Sequence, residues 1–231
     1  MLPSPVNPTA FSLPAVYPIL DVASAQRRGW DLVDLAVRLA AADCHLLQLR
    51  GKQLPAGELL RLATAVQRAL PATCRLLVND RIDVALLACT AGVHLGQDDL
   101  PPELVRGLLQ RPALLGYSTH HPAQVEVARA APIDYLAIGP VFATTTKQNP
   151  DPTVGLQGVR EARARYPGPL VAIGGITLLN CAAVWEAGAD SVALIAGFLD
   201  TPDPVGMIGA FRRQFQLALR GNPRQSRRDC G

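Results

Sequence analysis

Short apolar runs alternate with longer amphipathic segments along most of this chain. The amphipathic segments carry apolar residues at helical spacing, as at Leu32, Leu35, Ala36 and Leu39. The eight apolar runs are short enough to be buried strands: Val16–Leu20, His45–Leu49, Arg75–Val78, Gly92–Leu95, Ala113–Tyr117, Tyr135–Ile138, Leu170–Ile173 and Ser191–Ile195. Eight strands, each followed by a helix, predict an α/β fold, a single-domain (β/α)8 TIM barrel, with an open doubly wound sheet as the main alternative.

One domain accounts for the whole pattern. No shift in composition marks a linker, so we place the barrel at residues 14–218. Residues 1–13 are rich in proline and predict a flexible N-terminal segment. Residues 219–231 hold four arginines among glycine and proline, which predicts a disordered basic tail. No GxGxxG motif follows the first strand, which weakens a dinucleotide-binding version of the doubly wound sheet.

Composition and charge argue against several functional classes. The net charge of +3 is too small to indicate nucleic-acid binding. The longest uncharged stretch, residues 166–185, contains prolines and glycines and is typical of strand, turn and helix, so no membrane span is predicted. Five cysteines without a CxxC pair suit a reducing compartment, and the N-terminus does not look like a secretory signal. We therefore expect a cytoplasmic protein.

Cationic residues follow the second predicted strand. Alternation along a strand places Gln48 and Arg50 on one side, toward the mouth of a barrel, with Lys52 beyond them. An arginine fork beside a lysine suits a diphosphate, although a surface charge pair would leave the same pattern.

Carboxylates follow the third and fourth strands. Asp80 comes directly after Asn79, and Asp98 and Asp99 come shortly after the fourth strand. Mg²⁺ prefers one or two carboxylates, with water and phosphate in its other positions, so these ends suit a magnesium site. Each carboxylate could instead cap the helix that follows it.

Hydroxyls and glycines follow the later strands. The fifth ends in Ser118 with His120 and His121 behind it. A histidine here could be a general base, or a loop residue or helix-start contact, which we favour for His121. The sixth runs into residues 139–147, whose threonines and lysine form either an anion site or a solvated loop. The seventh and eighth lead into glycines, and a phosphate between these two loops is common in TIM barrels.

Six motifs between residues 48 and 177 resemble the thiamine-phosphate synthase family in order and spacing. They are QLRGK at 48–52, NDR at 79–81, HLGQDD at 94–99, the serine at 118, GPVFATTTK at 139–147 and AIGGIT at 172–177. The resemblance implies a TIM barrel that joins a hydroxymethylpyrimidine diphosphate to a hydroxyethylthiazole phosphate, possibly carboxylated, and releases diphosphate.

The resemblance also implies the role of each site residue. The pyrimidine diphosphate would be held by Gln48, Leu49, Arg50, Gly51, Lys52, Asn79, Ser118 and Lys147. Arg50, Lys52, Ser118 and Lys147 would be catalytic, and Asp80 and Asp99 would bind Mg²⁺. The thiazole phosphate would be held by Thr144, Thr145, Thr146, Gly175, Ile195 and Ala196.

This chain departs from the family pattern at two positions. The family often has serine where Ala196 stands, so a hydroxyl contact to the phosphate would be missing here. Gly51 replaces an acidic residue whose side chain is not expected to touch substrate.

Two other functions remain as alternatives. One is the related thiazole tautomerase, which this chain resembles around His120, and which would not need the pyrimidine diphosphate motifs. The other is a barrel that binds a phosphate ligand without catalysis. The sequence leaves open whether the protein is a monomer or a homo-oligomer.

Overall fold

The eight predicted strands form a closed, all-parallel barrel in chain order. The structure is a computed structural model that describes residues 12–109, 112–144 and 151–221. The strands are β1 (Val16–Asp21), β2 (Leu46–Arg50), β3 (Arg75–Asn79), β4 (Gly92–Leu95), β5 (Leu114–Thr119), β6 (Tyr135–Ile138), β7 (Leu170–Ile173) and β8 (Ser191–Leu194). The predicted TIM barrel is therefore confirmed, and each strand end lies within two residues of its predicted position.

Helices follow every strand and surround the barrel. They are α1 (Val22–Arg28), α2 (Leu32–Ala41), α3 (Ala56–Ala69), α4 (Ile82–Leu87), α5 (Pro102–Leu108), α6 (Pro122–Ala128), α7 (Gly155–Arg165), α8 (Cys181–Glu186), α9 (Ala196–Leu199) and α10 (Pro204–Gly221). Pro102 and Pro122 are the first residues of their helices, where a missing N–H costs no hydrogen bond.

Two apolar layers hold the fold together. In β2, Leu46 packs with the residues inside the barrel, whereas Leu47 and Leu49 pack between the barrel and the helices. This alternation turns Gln48 and Arg50 toward the interior, as predicted. The core also contains large aromatic side chains, and Trp185 of α8 meets Phe215 of α10 edge to face with ring centroids 5.1 Å apart.

The described residues extend slightly past the predicted ends of the barrel domain. Leu13, which we assigned to the N-terminal segment, packs against the cluster inside the barrel. Helix α10 continues to Gly221, three residues beyond the predicted boundary at 218, and its Phe211 and Phe215 pack against the core. Residues 1–11 and 222–231 lie outside the described part of the chain.

The amino ends of the strands carry a repeated ion-pair arrangement. Asp190 precedes β8, accepts a hydrogen bond from the Leu170 backbone N–H at 2.8 Å and pairs with Arg163 of α7 at 2.5 Å. Asp134 precedes β6 and pairs in the same way with Arg106 of α5 at 2.7 Å. Each pair ties a helix to two neighbouring strands, at the end of the barrel opposite the carboxyl ends of the strands.

The described residues include four cysteines. Cys44, Cys74 and Cys181 are buried, whereas Cys89 is exposed in a turn. None of the helices described is both long and apolar enough to cross a membrane.

Candidate active site at the carboxyl ends of the strands

The predicted site residues that the structure describes gather at one rim of the barrel. All eight strands are parallel, so their carboxyl ends open on the same side. Arg50 ends β2, Asn79 ends β3 and Ser118 lies one residue before the end of β5. Gln48 and Leu49 lie in β2, and Ala196 is the first residue of α9. The loops that follow the strands carry Gly51, Lys52, Asp80, Asp99, Thr144, Gly175 and Ile195. Thr145, Thr146 and Lys147 lie outside the described residues.

Asp21 fixes the position of Arg50. It ends β1 opposite Arg50 in the register of the two strands, and it is only 3% exposed. One carboxylate oxygen accepts from the Arg50 guanidinium and the other accepts from the Ser24 backbone N–H at 2.9 Å, which also caps α1. The sequence analysis missed Asp21, although it is a charged residue at a strand end like the residues that were identified.

Lys52 and Asp80 form an ion pair across two neighbouring strands. The Lys52 ammonium lies 3.1 Å from the Asp80 carboxylate. Asp80 adopts a left-handed backbone conformation with φ +62°, which is unusual outside glycine, and its N–H donates to the His94 carbonyl at 2.8 Å. Strained backbone of this kind concentrates at functional sites, where surrounding contacts hold it in place.

Asp80 and Asp99 face each other at the rim. Burial, then the neighbouring Asp80 carboxyl group, raises the pKa of Asp99, while the Gly96 N–H and Lys52 act against that rise. The Gly96 N–H donates to the Asp99 carboxylate at 2.6 Å. Helix α4 follows Arg81 and α5 follows Pro101, and neither has a side-chain cap, so the alternative that these aspartates cap helices is wrong.

A chain of hydrogen bonds crosses the interior beneath the rim. Gln48 donates to the Tyr17 hydroxyl at 3.0 Å, and the hydroxyls of Tyr17 and Tyr135 lie 3.1 Å apart. His94 joins Tyr135 to Ser118, with 2.8 Å at each ring nitrogen. Burial lowers the pKa of His94 to about 4, against an opposing effect of Asp99, so its imidazole is neutral at pH 7.

The sequence analysis missed three of these five side chains: Tyr17, His94 and Tyr135. The signal was available, because strand alternation places all three on the interior side of their strands.

Loops after β6 and β7 pack closely against each other. The Val141 and Phe142 N–H groups donate to the carbonyls of Ile173 and Gly174 at 2.8 and 3.0 Å. Gly175 has φ +63°, and a Cβ there would lie 2.4 Å from the Ala143 carbonyl oxygen. Only glycine fits this contact, which brings the threonine loop next to the glycine loop.

Leu49 and Gly51, two of the predicted site residues, face the outer layer of the barrel and not its mouth. Leu49 is fully buried among the residues between barrel and helices. A Cβ on Gly51 would lie 2.9 Å from the Leu59 side chain, on the same outer layer. Any contact of these two residues with a ligand at the mouth must use the backbone.

The histidines after β5 differ in their surroundings. His120 is partly buried, and its Nδ1 donates to the Gly139 carbonyl at 2.6 Å and lies 3.6 Å from the Asp151 carboxylate. His121 directly precedes α6, and its side chain makes no cap hydrogen bond to that helix.

Comparison with known proteins identifies the family of this chain. The family model described as thiamine monophosphate synthase matches residues 16–198, which span all eight strands. The chain belongs to the thiamine monophosphate synthase family. The assignment fits a transferase of thiamine biosynthesis, as the sequence resemblance predicted.

Individual members of the thiamine monophosphate synthase family match over most of their length. A thiamine-phosphate synthase of Koribacter versatilis is 47% identical over 196 residues, which cover 84% of this chain and 93% of that protein. One from Roseiflexus is 39% identical over 209 residues, covering 88% and 86%. A solved thiamine phosphate pyrophosphorylase from Pyrococcus furiosus superposes with a TM-score of 0.76 at 26% identity, covering 89% of this chain and 97% of that one.

Proposed function

We propose that this chain joins 4-amino-2-methyl-5-(diphosphomethyl)pyrimidine to 4-methyl-5-(2-phosphoethyl)thiazole and produces thiamine phosphate and diphosphate. The observation that carries the proposal is the meeting of Arg50, Lys52, Asp80 and Asp99 at one rim. Two cations beside two carboxylates match a diphosphate that arrives with a divalent metal ion.

Arg50 and Lys52 would hold the diphosphate. Asp21 orients the guanidinium from below, so Arg50 can present its remaining N–H groups to phosphate oxygens without first being ordered. Lys52 is about half exposed and pairs with Asp80, so its ammonium can move onto a phosphate oxygen at little cost. Lys147, which lies outside the described residues, would add a third cation.

Asp80 and Asp99 would be the Mg²⁺ ligands. Their side chains face each other, and the raised pKa of Asp99 reflects burial and that contact. No cluster of three or more histidine, cysteine or acidic ligands occurs within residues 12–109, 112–144 and 151–221. Two carboxylates are sufficient for Mg²⁺, which keeps waters and substrate phosphates as its other ligands. When bound, the ion supplies positive charge that neutralises the leaving diphosphate.

The proposed reaction breaks one bond and forms one. The bond between the pyrimidine methylene carbon and the diphosphate oxygen breaks, and its electron pair leaves with the diphosphate. The aminopyrimidine ring delocalises the positive charge left on that carbon, and the thiazole nitrogen then attacks it. Arg50 and Lys52 stabilise the charge that develops on the diphosphate. The step needs no general base, which fits a site that is rich in cations.

The threonine and glycine loops would hold the thiazole phosphate. Gly175 brings its backbone against residues 142 and 143, close to Thr144. Helix α9 begins at Ala196, whose side chain carries no hydroxyl. Any contact of position 196 with the phosphate would therefore use the backbone N–H.

A product assay separates this function from its alternatives. The purified chain is incubated with both heterocycles and Mg²⁺, and thiamine phosphate is measured by mass spectrometry. The proposal requires product only when both substrates are present. Isomerisation of the thiazole without any need for the pyrimidine would identify a tautomerase, and tight binding without any product would identify a binding barrel.

A further inference from the structure

The hydrogen-bond chain beneath the rim links two residues assigned to the pyrimidine diphosphate. It begins at Gln48 on β2 and ends at Ser118 on β5, although these two strands are not neighbours in the barrel. Tyr17, Tyr135 and His94 bridge the gap, and each is buried. None of these three has a role in the proposed function so far.

Gly116 makes room for the contact between His94 and Tyr135 in the middle of the hydrogen-bond chain. The strand register places it between His94 on β4 and Tyr135 on β6. A Cβ at this position would lie 2.3 Å from the Tyr135 hydroxyl and 2.5 Å from Nδ1 of His94. A glycine in the middle of a strand marks a close approach, and here it allows side chains of two non-adjacent strands to meet.

The number of protons each group can donate fixes which group donates in each of these hydrogen bonds. Gln48 donates to the Tyr17 oxygen, so the Tyr17 proton is available for the Tyr135 oxygen. The Tyr135 proton is then available for Nδ1 of His94. A neutral imidazole that accepts at Nδ1 carries its proton on Nε2, which faces the Ser118 oxygen at 2.8 Å.

We propose that the Tyr17–Tyr135–His94 relay is a positioning element that fixes His94 as the Nε2–H tautomer and leaves the Ser118 proton free to point into the mouth. Ser118 thereby becomes a hydrogen-bond donor toward an acceptor atom of the pyrimidine diphosphate. The tautomer is a property of the free protein, whereas the identity of the acceptor rests on the proposed function. His94 is a positioning residue, because it acts through Ser118.

The first test reads the tautomer directly. The chain has four histidines, and the signal of His94 is assigned by its loss in His94→Gln. Two-bond ¹H–¹⁵N correlation spectra of the wild-type protein at pH 7 should show a protonated Nε2 and a bare Nδ1. A proton on Nδ1, or on both nitrogens, would contradict the proposed relay. Tyr17→Phe keeps the Tyr135 donor and should keep the Nε2–H signal, whereas Tyr135→Phe should mix the two tautomers.

The second test compares two amides of different reach. The glutamine amide in His94→Gln extends to the place of Nε2 and can still donate to Ser118, while the asparagine amide in His94→Asn reaches only the place of Nδ1. The relay predicts that His94→Gln keeps a kcat about tenfold above that of His94→Asn, the effect of one hydrogen bond. The KM for the thiazole phosphate should be alike in both variants. Equal kcat values in two folded variants would contradict the proposal.

Failure of the relay and failure of the proposed function are distinguishable. Thiamine phosphate formed by a protein whose His94 carries its proton on Nδ1 would leave the function intact and remove the relay. If His94 is the Nε2–H tautomer but the protein forms no product, the relay stands and the proposed substrate of Ser118 is wrong.

Discussion

The Lys52 ammonium lies 3.1 Å from the Asp80 carboxylate, and this contact joins a residue assigned to the diphosphate to one assigned to the metal ion. The pair brings together charges from the ends of β2 and β3. A diphosphate with its metal ion would exchange this contact for two stronger ones, Lys52 on phosphate and Asp80 on the ion.

Removing either of the two carboxylates that we propose as Mg²⁺ ligands should abolish most activity. Asp80→Ala and Asp99→Asn are expected to lower kcat roughly 100-fold or more, because the charge of the leaving diphosphate is no longer neutralised. Product formation measured against Mg²⁺ concentration checks this. Asp98→Asn is the matched control, since Asp98 is the exposed neighbour of Asp99 and should keep wild-type turnover. Wild-type rates in Asp80→Ala at limiting Mg²⁺ would refute the metal assignment.

Arg50 should act on one substrate only. Arg50→Ala is expected to lower kcat/KM for the pyrimidine diphosphate roughly 100-fold, while the KM for the thiazole phosphate stays unchanged. Steady-state kinetics with each substrate varied in turn measures the split. The control is Arg28→Ala, because Arg28 is about half exposed and pairs with Asp200 on the surface. Equal losses for both substrates would point to a general structural role of Arg50.

The ion pair at the amino ends of the strands should matter for stability alone. Arg163→Ala removes the ion pair to the partly buried Asp190 and the hydrogen bonds to three backbone carbonyls, those of Tyr166, Gly168 and Gly188. We expect the free energy of unfolding to fall by about 2 kcal/mol in a urea titration. The kcat at 25 °C should be unchanged, since the pair lies far from the rim; a large loss of kcat in the folded variant would disagree with this placement.

His94 should make stability depend on pH. Burial keeps its pKa in the folded state at about 4, compared with 6.5 for an ordinary histidine, with Asp99 opposing that shift and Tyr135 and Ser118 as its hydrogen-bond partners. The unfolded chain therefore binds a proton that the folded one does not between these values, and stability is lost as pH falls from 6.5 toward 4.

Integrated over that range, the loss attributable to His94 is about 3 kcal/mol. Urea titrations at several pH values measure it, and the same series on His94→Gln should show a shallower dependence. Identical slopes for the two proteins would mean that His94 is not buried in its neutral form.

Much of the fold was predictable from local patterns. The strands could be identified as short apolar runs because both faces of a barrel strand are buried, as Leu46 and Leu47 show. The end of helix α10 was predicted three residues too early, at 218 instead of Gly221.

Candidate site residues could be predicted from the sequence where polar or charged side chains follow an apolar strand. Arg50, Asp80 and Asp99 stand out because charged residues at strand ends are poor core material. Tyr17 and Tyr135 look like ordinary core residues in a sequence, and only their meeting at 3.1 Å across the barrel gives them a polar role. Asp21 was hidden for a similar reason, because its importance comes from the side chain of Arg50 opposite it.

The measurement that tests the central claim most directly is the stoichiometry of diphosphate release. The wild-type chain is supplied with both substrates and Mg²⁺, and diphosphate and thiamine phosphate are quantified in the same samples over time. The convergence of cations and carboxylates at the rim predicts one diphosphate released for each thiamine phosphate formed, and neither in Asp80→Ala. Thiazole turnover with no diphosphate released would contradict it.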